Sequence, residues 1–236
     1  MLLSRLTAFS LILFIGTSTA TAQFGPGPSG RAPLAHERGP RNEAGRFDYY
    51  ALVLSWSPTY CESDRSSRDP QCNGRSGRRF AFVLHGLWPQ HDKGWPQNCP
   101  MRGSTYVPQP LVDRMLDIMP SPRLVIHEFR KHGTCSGLDA EGYFALSRKL
   151  FQKVAVPPRF QKPNQHFTVS PRDVVEAFVD SNPGLTPDQM AVACTGNQLR
   201  EIRVCFTREG VFRSCGDNEN QRRLCSRDRL SVPPVR

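Results

Sequence analysis

From Phe47 the chain opens with a dense aromatic and aliphatic run, FDYYALVLSW, that ends at Ser57-Pro58. Such a run predicts a strand over Phe47–Trp56. A second short apolar run, RFAFVL at Arg79–Leu84, leads straight into His85, and the polar Gly/Ser/Arg-rich stretch Glu62–Arg78 between them reads as a loop. The period then changes to that of helices. Pro110–Met119 carries Leu111, Met115 and Ile118 at helical spacing, and Glu141–Val154 repeats the pattern with Phe144, Leu150, Phe151 and Val154. Pro122–His132 has Ser121 as N-cap, Pro at its first position and Gly133 just past its end, and Ser170–Asp180 begins with the same Ser-Pro pair. Extended segments return at Met190–Thr195 and Gln198–Thr207, with Val211–Ser214 expected to pair back across the turn Arg208-Glu209-Gly210. Strands at both ends with helices between them predict an α+β domain.

The segment before this pattern is different in kind. Arg5, the apolar stretch Leu6–Ile15 and an A-x-A site at Ala20-Thr21-Ala22 predict a cleaved export signal over residues 1–22. Its apolar core is about 10 residues, against the roughly 20 that a spanning helix needs, and no later stretch is apolar enough to span. The expectation is a secreted or periplasmic protein with no membrane anchor. Residues 23–46 are rich in Gly, Pro and Arg, which cannot bury enough surface to offset ordering entropy, so they read as a disordered tail. Residues 47–236 form one domain, without internal repeats.

All eight cysteines follow the export signal, which predicts four disulfides but leaves their pairing open. They are scattered and contain no C-x-x-C pair, against a structural zinc site. The formal net charge of +10 suits a polyanionic partner such as nucleic acid.

Two segments carry the candidate chemistry: FVLHGLWPQ at Phe82–Gln90 and HEFRKHGTCSG at His127–Gly137. The histidines of the second are five apart, about 140° around a helix axis, which excludes the four-residue spacing of a zinc-binding H-E-x-x-H. Glu128 instead lies over Lys131 and His132, and His127 over Lys131. His85 and His132 are candidates for a base and an acid, because imidazole populates both protonation states near neutrality. That pair can cleave RNA through its own 2′-OH without a metal. Lys131, with His127 when protonated, would neutralise the phosphate, and Glu128 would orient a histidine or hydrogen-bond the phosphorane. A turn at Gly86-Leu87-Trp88-Pro89 is expected to expose His85 and Trp88 at a rim. His36, His91 and His166 read as structural.

With these two segments in hand, the chain resembles the ribonuclease T2 family of exported endoribonucleases. HGLWP within Phe82–Gln90 and HEFRKHGTC at His127–Cys135 match the two family signatures in order. The resemblance implies an α+β fold with an antiparallel sheet flanked by helices and stapled by disulfides. It implies Cys61–Cys72, Cys99–Cys135, Cys194–Cys225 and Cys205–Cys215 as the pairs. It implies His85 and His132 as the acid–base pair, Glu128 and Lys131 at the transition state and His127 at the phosphate; His132 is expected as base and His85 as acid in the transfer step, an order that the sequence leaves open. Single-stranded RNA would be cut to a 2′,3′-cyclic phosphate and then a 3′-phosphate by a monomer without cofactor or metal. Trp88 and Trp95 are the candidates for base stacking, with Gln90 where some relatives carry an acidic residue and Ser55 where many plant relatives carry glutamine. The implied base specificity is low. Two other classes stay in view: a catalytically silent RNA-binding or cytotoxic protein on the same fold, and a metal-dependent nuclease or phosphatase. The second would need a carboxylate cluster that the chain lacks.

Overall fold

The computed structural model describes residues 42–63, 69–74 and 77–235. The export signal expected over residues 1–22, residues 23–41 of the Gly/Pro/Arg-rich segment and His36 lie outside the described residues. The last part of that segment, residues 42–46, is held against the domain, where the Gly45 amide donates to the Cys135 carbonyl at 2.9 Å.

Along the described chain the elements are β1 (Tyr49–Trp56), α1 (Ser57–Ser63), β2 (Phe82–Gln90), α2 (Gln109–Met115), α3 (Pro122–Lys131), α4 (Ala140–Lys153), β3 (Phe167–Val169), α5 (Pro171–Ser181), β4 (Met190–Thr195), β5 (Gln198–Phe206), α6 (Gln221–Leu224) and β6 (Leu230–Val232). The six strands form one sheet in the order β2-β1-β5-β6-β3, with β4 on the other edge of β5. All pairings are antiparallel except the short parallel contact of Gln198 with Ser231. The α+β reading therefore holds, with an essentially antiparallel sheet.

Alternation along β1 builds both faces of the centre. Tyr50, Leu52, Leu54 and Trp56 enter the main core, packed with Leu84, Leu87, Phe129, Tyr143 and Phe144. Tyr49, Ala51 and Val53 form a second, smaller cluster with Cys205 on the opposite face, beneath Trp88 and Cys215. At α5 the Ser-Pro start works as a reciprocal capping box, with Ser170 and Asp173 exchanging hydrogen bonds at 2.8 and 3.0 Å. At α3 Ser121 occupies the N-cap without a side-chain bond, so Pro122 at the first position carries the start.

The expected turn after His85 does not occur. The strand continues to Gln90, and the register steps from Val53↔Gly86 to Leu54↔Leu84, leaving His85 unpaired as a bulge. The extra residue restores the phase, so Leu84 and Leu87, three apart, both face the core. Pro89 is tolerated because β2 is an edge strand. The return of Val211–Ser214 is also reduced, to a single bridge between Phe206 and Phe212. All eight cysteines are bonded, as Cys61–Cys72, Cys99–Cys135, Cys194–Cys225 and Cys205–Cys215, the pairs that the resemblance implies.

Candidate active site

The bulge aims His85 off the strand, and α3 delivers its last turn beside it. The two are locked together at several points. Tyr143 of α4 bonds the main chain of Leu87, donating to its carbonyl at 2.9 Å and accepting from its amide at 3.3 Å. The Asn98 amide donates to the Lys131 carbonyl at 2.7 Å, and Cys99 is bonded to Cys135 in the turn Gly133–Ser136 that follows α3. At Gly86 a β-carbon would collide with the Glu128 carboxylate and the Trp88 indole, so the absence of a side chain lets α3 dock.

A cavity of about 230 Å³ results, lined by His85, Trp88, Gln90, Trp95, His127, Glu128, Lys131, His132 and Arg203. All eight side chains expected from the sequence meet there, while His91 and His166 lie elsewhere, beside Asp48 and Ser231 respectively. Glu128 is 1 % and His132 4 % exposed, whereas the His85 side chain is 32 % exposed. Glu128 Oε1 is 3.6 Å from His85 Nε2, and its Oε2 accepts from the Trp88 indole N–H at 2.6 Å. Trp88 stacks on His132 with ring centres 4.9 Å apart and meets His85 edge-on at 5.1 Å. One indole thus separates and orients both imidazoles. Gln90 is held by Asn218, whose amide donates to its Oε1 at 3.0 Å, and Trp95 is half exposed at the mouth.

Two residues that contact the site were missed by sequence reasoning, Glu201 and Arg203, both on β5. Glu201 Oε2 lies 3.5 Å from His85 Nδ1, an ion-pair distance. Arg203 bonds Glu201 at 3.0 Å, reaches Glu219 at 3.4 Å and lies over the Trp88 ring at 5.0 Å. Arg200 adds a second pair to Glu201 at 3.1 Å, and the Tyr49 hydroxyl donates to Glu219. The sequence carries only their spacing, two apart and so on one face of a strand; it is the pairing of β5 on both edges, seen in the structure, that makes this an inner face.

The electrostatics drive the two histidines apart. Burial lowers the His85 pKa, but the close Glu201 carboxylate at its Nδ1 and the charge of Glu128 outweigh it, so the net shift is upward. His132 has no such partner. Burial, then the positive field of Lys131, His85 and His127, brings it down to about 3. His127 is lowered by the same two causes. Burial raises the Glu128 carboxyl, and His85 and the Trp88 bond only partly offset it. For Glu201 burial acts upward too, but His85 and Arg203 overcome it and hold the carboxyl at about 2. At mildly acid pH the site therefore holds a charged His85 and a neutral His132 at either side of one indole, the pairing that a proton donor and a proton acceptor need.

Comparison with known proteins gives the same family. The model described as "Ribonuclease T2 family" matches residues 47–215. A ribonuclease of Aeromonas hydrophila is 34% identical over 197 residues, covering 79% of this chain and 84% of its own. Ribonuclease I of Escherichia coli is 27% identical over 209 residues, covering 71% and 78%. Among solved structures, an RNase-related protein from Calystegia sepium superposes with a TM-score of 0.64 at 21% identity, covering 81% of this chain and 99% of its own. RNase NT in complex with 5′-AMP does so with 0.57 at 23%, covering 80% and 100%. These likenesses confirm the fold.

Proposed function

The chain belongs to the ribonuclease T2 family and is a ribonuclease, and from that premise we propose that it is an exported, metal-independent endoribonuclease of single-stranded RNA with low base specificity. The observation that carries the reading is the placement of His85 and His132 on either side of the Trp88 indole in one cavity with Lys131 and Glu128, and the opposite directions of their pKa shifts agree with it. His132 takes the 2′-OH proton as that oxygen attacks phosphorus. The bond from phosphorus to the 5′-oxygen breaks, and His85 gives that oxygen a proton. The product is a 2′,3′-cyclic phosphate. In the slower second step the roles reverse: His85 takes a proton from water, water attacks, and His132 protonates the departing 2′-oxygen to leave a 3′-phosphate.

Lys131 and His127 face the anionic oxygens, and Glu128 supports the charged His85 and the phosphorane. Glu201 is a positioning residue that holds His85 charged from behind. Trp95 at the mouth and Trp88 offer stacking surfaces, which accept any base. RNase NT holds 5′-AMP, a ligand of the class this cavity would take.

Acid activity follows from the signs. A base works above its pKa and an acid below it, so kcat/KM stays high from the low pKa of His132 to the raised one of His85. An incoming phosphate offsets the positive field that depresses His132. The acid limb of kcat therefore lies at higher pH than that of kcat/KM. The test is cleavage of single-stranded RNA by residues 23–236 in excess EDTA, from about pH 2 to 9, a window that spans both limbs, with products read by mass spectrometry. Cyclic phosphate ends and a bell-shaped profile are expected, with a loss of about 10²–10⁴-fold in H132A. Cleavage that requires added metal, or that survives H132A, would overturn the mechanism.

A further inference from the structure

Beside the catalytic cavity lies a second one, of about 280 Å³, lined by Asn98, Arg123, Ile126, His127, Arg130 and Lys131. His127 and Lys131 line both, so the two are neighbours along α3. The cause is helical geometry. Residues 123, 127, 130 and 131 stand at i, i+4, i+7 and i+8, one stripe along α3. Arg123, His127 and Arg130 are exposed. No carboxylate among the described residues lines the cavity, and among those residues Arg123, Arg130 and Lys131 enter no ion pair. The other arginines near the centre differ, because Arg200 and Arg203 are paired with Glu201. A row of unneutralised guanidinium groups that leads out of a phosphate-cleaving centre has the chemistry of a polyanion track.

We propose that this cavity is a second phosphate subsite, which holds a backbone phosphate of the RNA strand adjacent to the one being cleaved. The proposal rests on the ribonuclease reading above. From Arg123 to Lys131 the helix rises about 12 Å, longer than a single phosphate group, so the stripe can hold a flanking phosphate while Lys131 and His127 serve the scissile one. The arginine pair matters more than a lysine pair would, because the planar fork binds phosphate oxygens two at a time. The subsite makes the protein a reader of chain length rather than of base: a substrate with one phosphate does not reach Arg123, and a longer strand does.

The test uses the full mature chain and the double variant R123Q/R130Q. A variant with R222Q/R223Q on α6 carries the same net charge and serves as control. A non-cleavable 2′-O-methyl decanucleotide is expected to bind R123Q/R130Q about tenfold more weakly than the control variant, with the salt dependence of log Kd shallower by about 0.7 for each arginine removed. Cleavage of a decanucleotide should fall in parallel, while cleavage of a dinucleoside monophosphate stays level. Equal affinity in the two variants, or equal losses on short and long substrates, overturns the subsite. If the wild-type protein binds the decanucleotide and the dependence on Arg123 and Arg130 holds, but no RNA is cleaved, the subsite stands and the catalytic reading falls.

Discussion

At the residue scale the most informative contact is the one that the sequence did not announce. His85 was legible because it sits in HGLWP beside an apolar run, and the cluster on α3 because helix spacing stacks Glu128 over Lys131 and His132. Glu201 and Arg203 were not, since a lone Glu and Arg in an extended segment look like solvated positions until both strand edges are seen to be paired. Their arrangement has a consequence for pH. Glu201 raises the pKa of His85, so Glu201→Gln lowers it, and the proton donor is then lost at lower pH. The expected profile of kcat/KM keeps its acid limb and loses its alkaline shoulder, with activity down about tenfold at pH 7 and less near pH 5. A uniform loss at every pH would show that Glu201 merely packs.

At the scale of elements, helices with Ser-Pro starts were readable because the start signal and the period agree, through a capping box at α5 and through Pro122 alone at α3. The strands β3 and β6 were not, since three residues carry no period. The bulge in β2 was hidden for a different reason: its evidence is a phase change between Leu84 and Leu87, which reads locally as a turn. That bulge and the last turn of α3 must keep a fixed distance, and Cys99–Cys135 closes 36 residues of chain between them. Removing it as C99A/C135A is expected to cost about 2–4 kcal/mol in denaturant unfolding. It should also lower kcat at a temperature where the variant is fully folded, because the two histidines lose their tie. C61A/C72A, which opens an 11-residue loop away from the cavity, should lose stability without that drop in kcat. Equal kcat in the two variants would show that hydrogen bonds such as Asn98 to Lys131 suffice to hold the site.

At the scale of the whole molecule, the price of a neutral buried base is stability in acid. His132 titrates near pH 3 in the folded protein and near 6.5 unfolded. Between those limits the unfolded chain binds the extra proton, so this group makes stability fall as pH falls. The raised carboxyls Glu128 and Glu219 act in the other direction. Their folded forms bind the proton first, so they recover stability as pH drops toward the ordinary carboxylate range. Four disulfides that constrain the unfolded state help the fold carry this opposition. Substituting His132→Asn removes the titrating group but keeps a polar side chain of similar reach. The variant is expected to lose less stability between pH 6 and pH 4 than the wild type does, with the two curves converging toward acid, as measured by thermal unfolding at each pH. Parallel curves would mean that His132 takes up its proton as readily in the fold as in water, and would remove the physical basis for assigning it as the base.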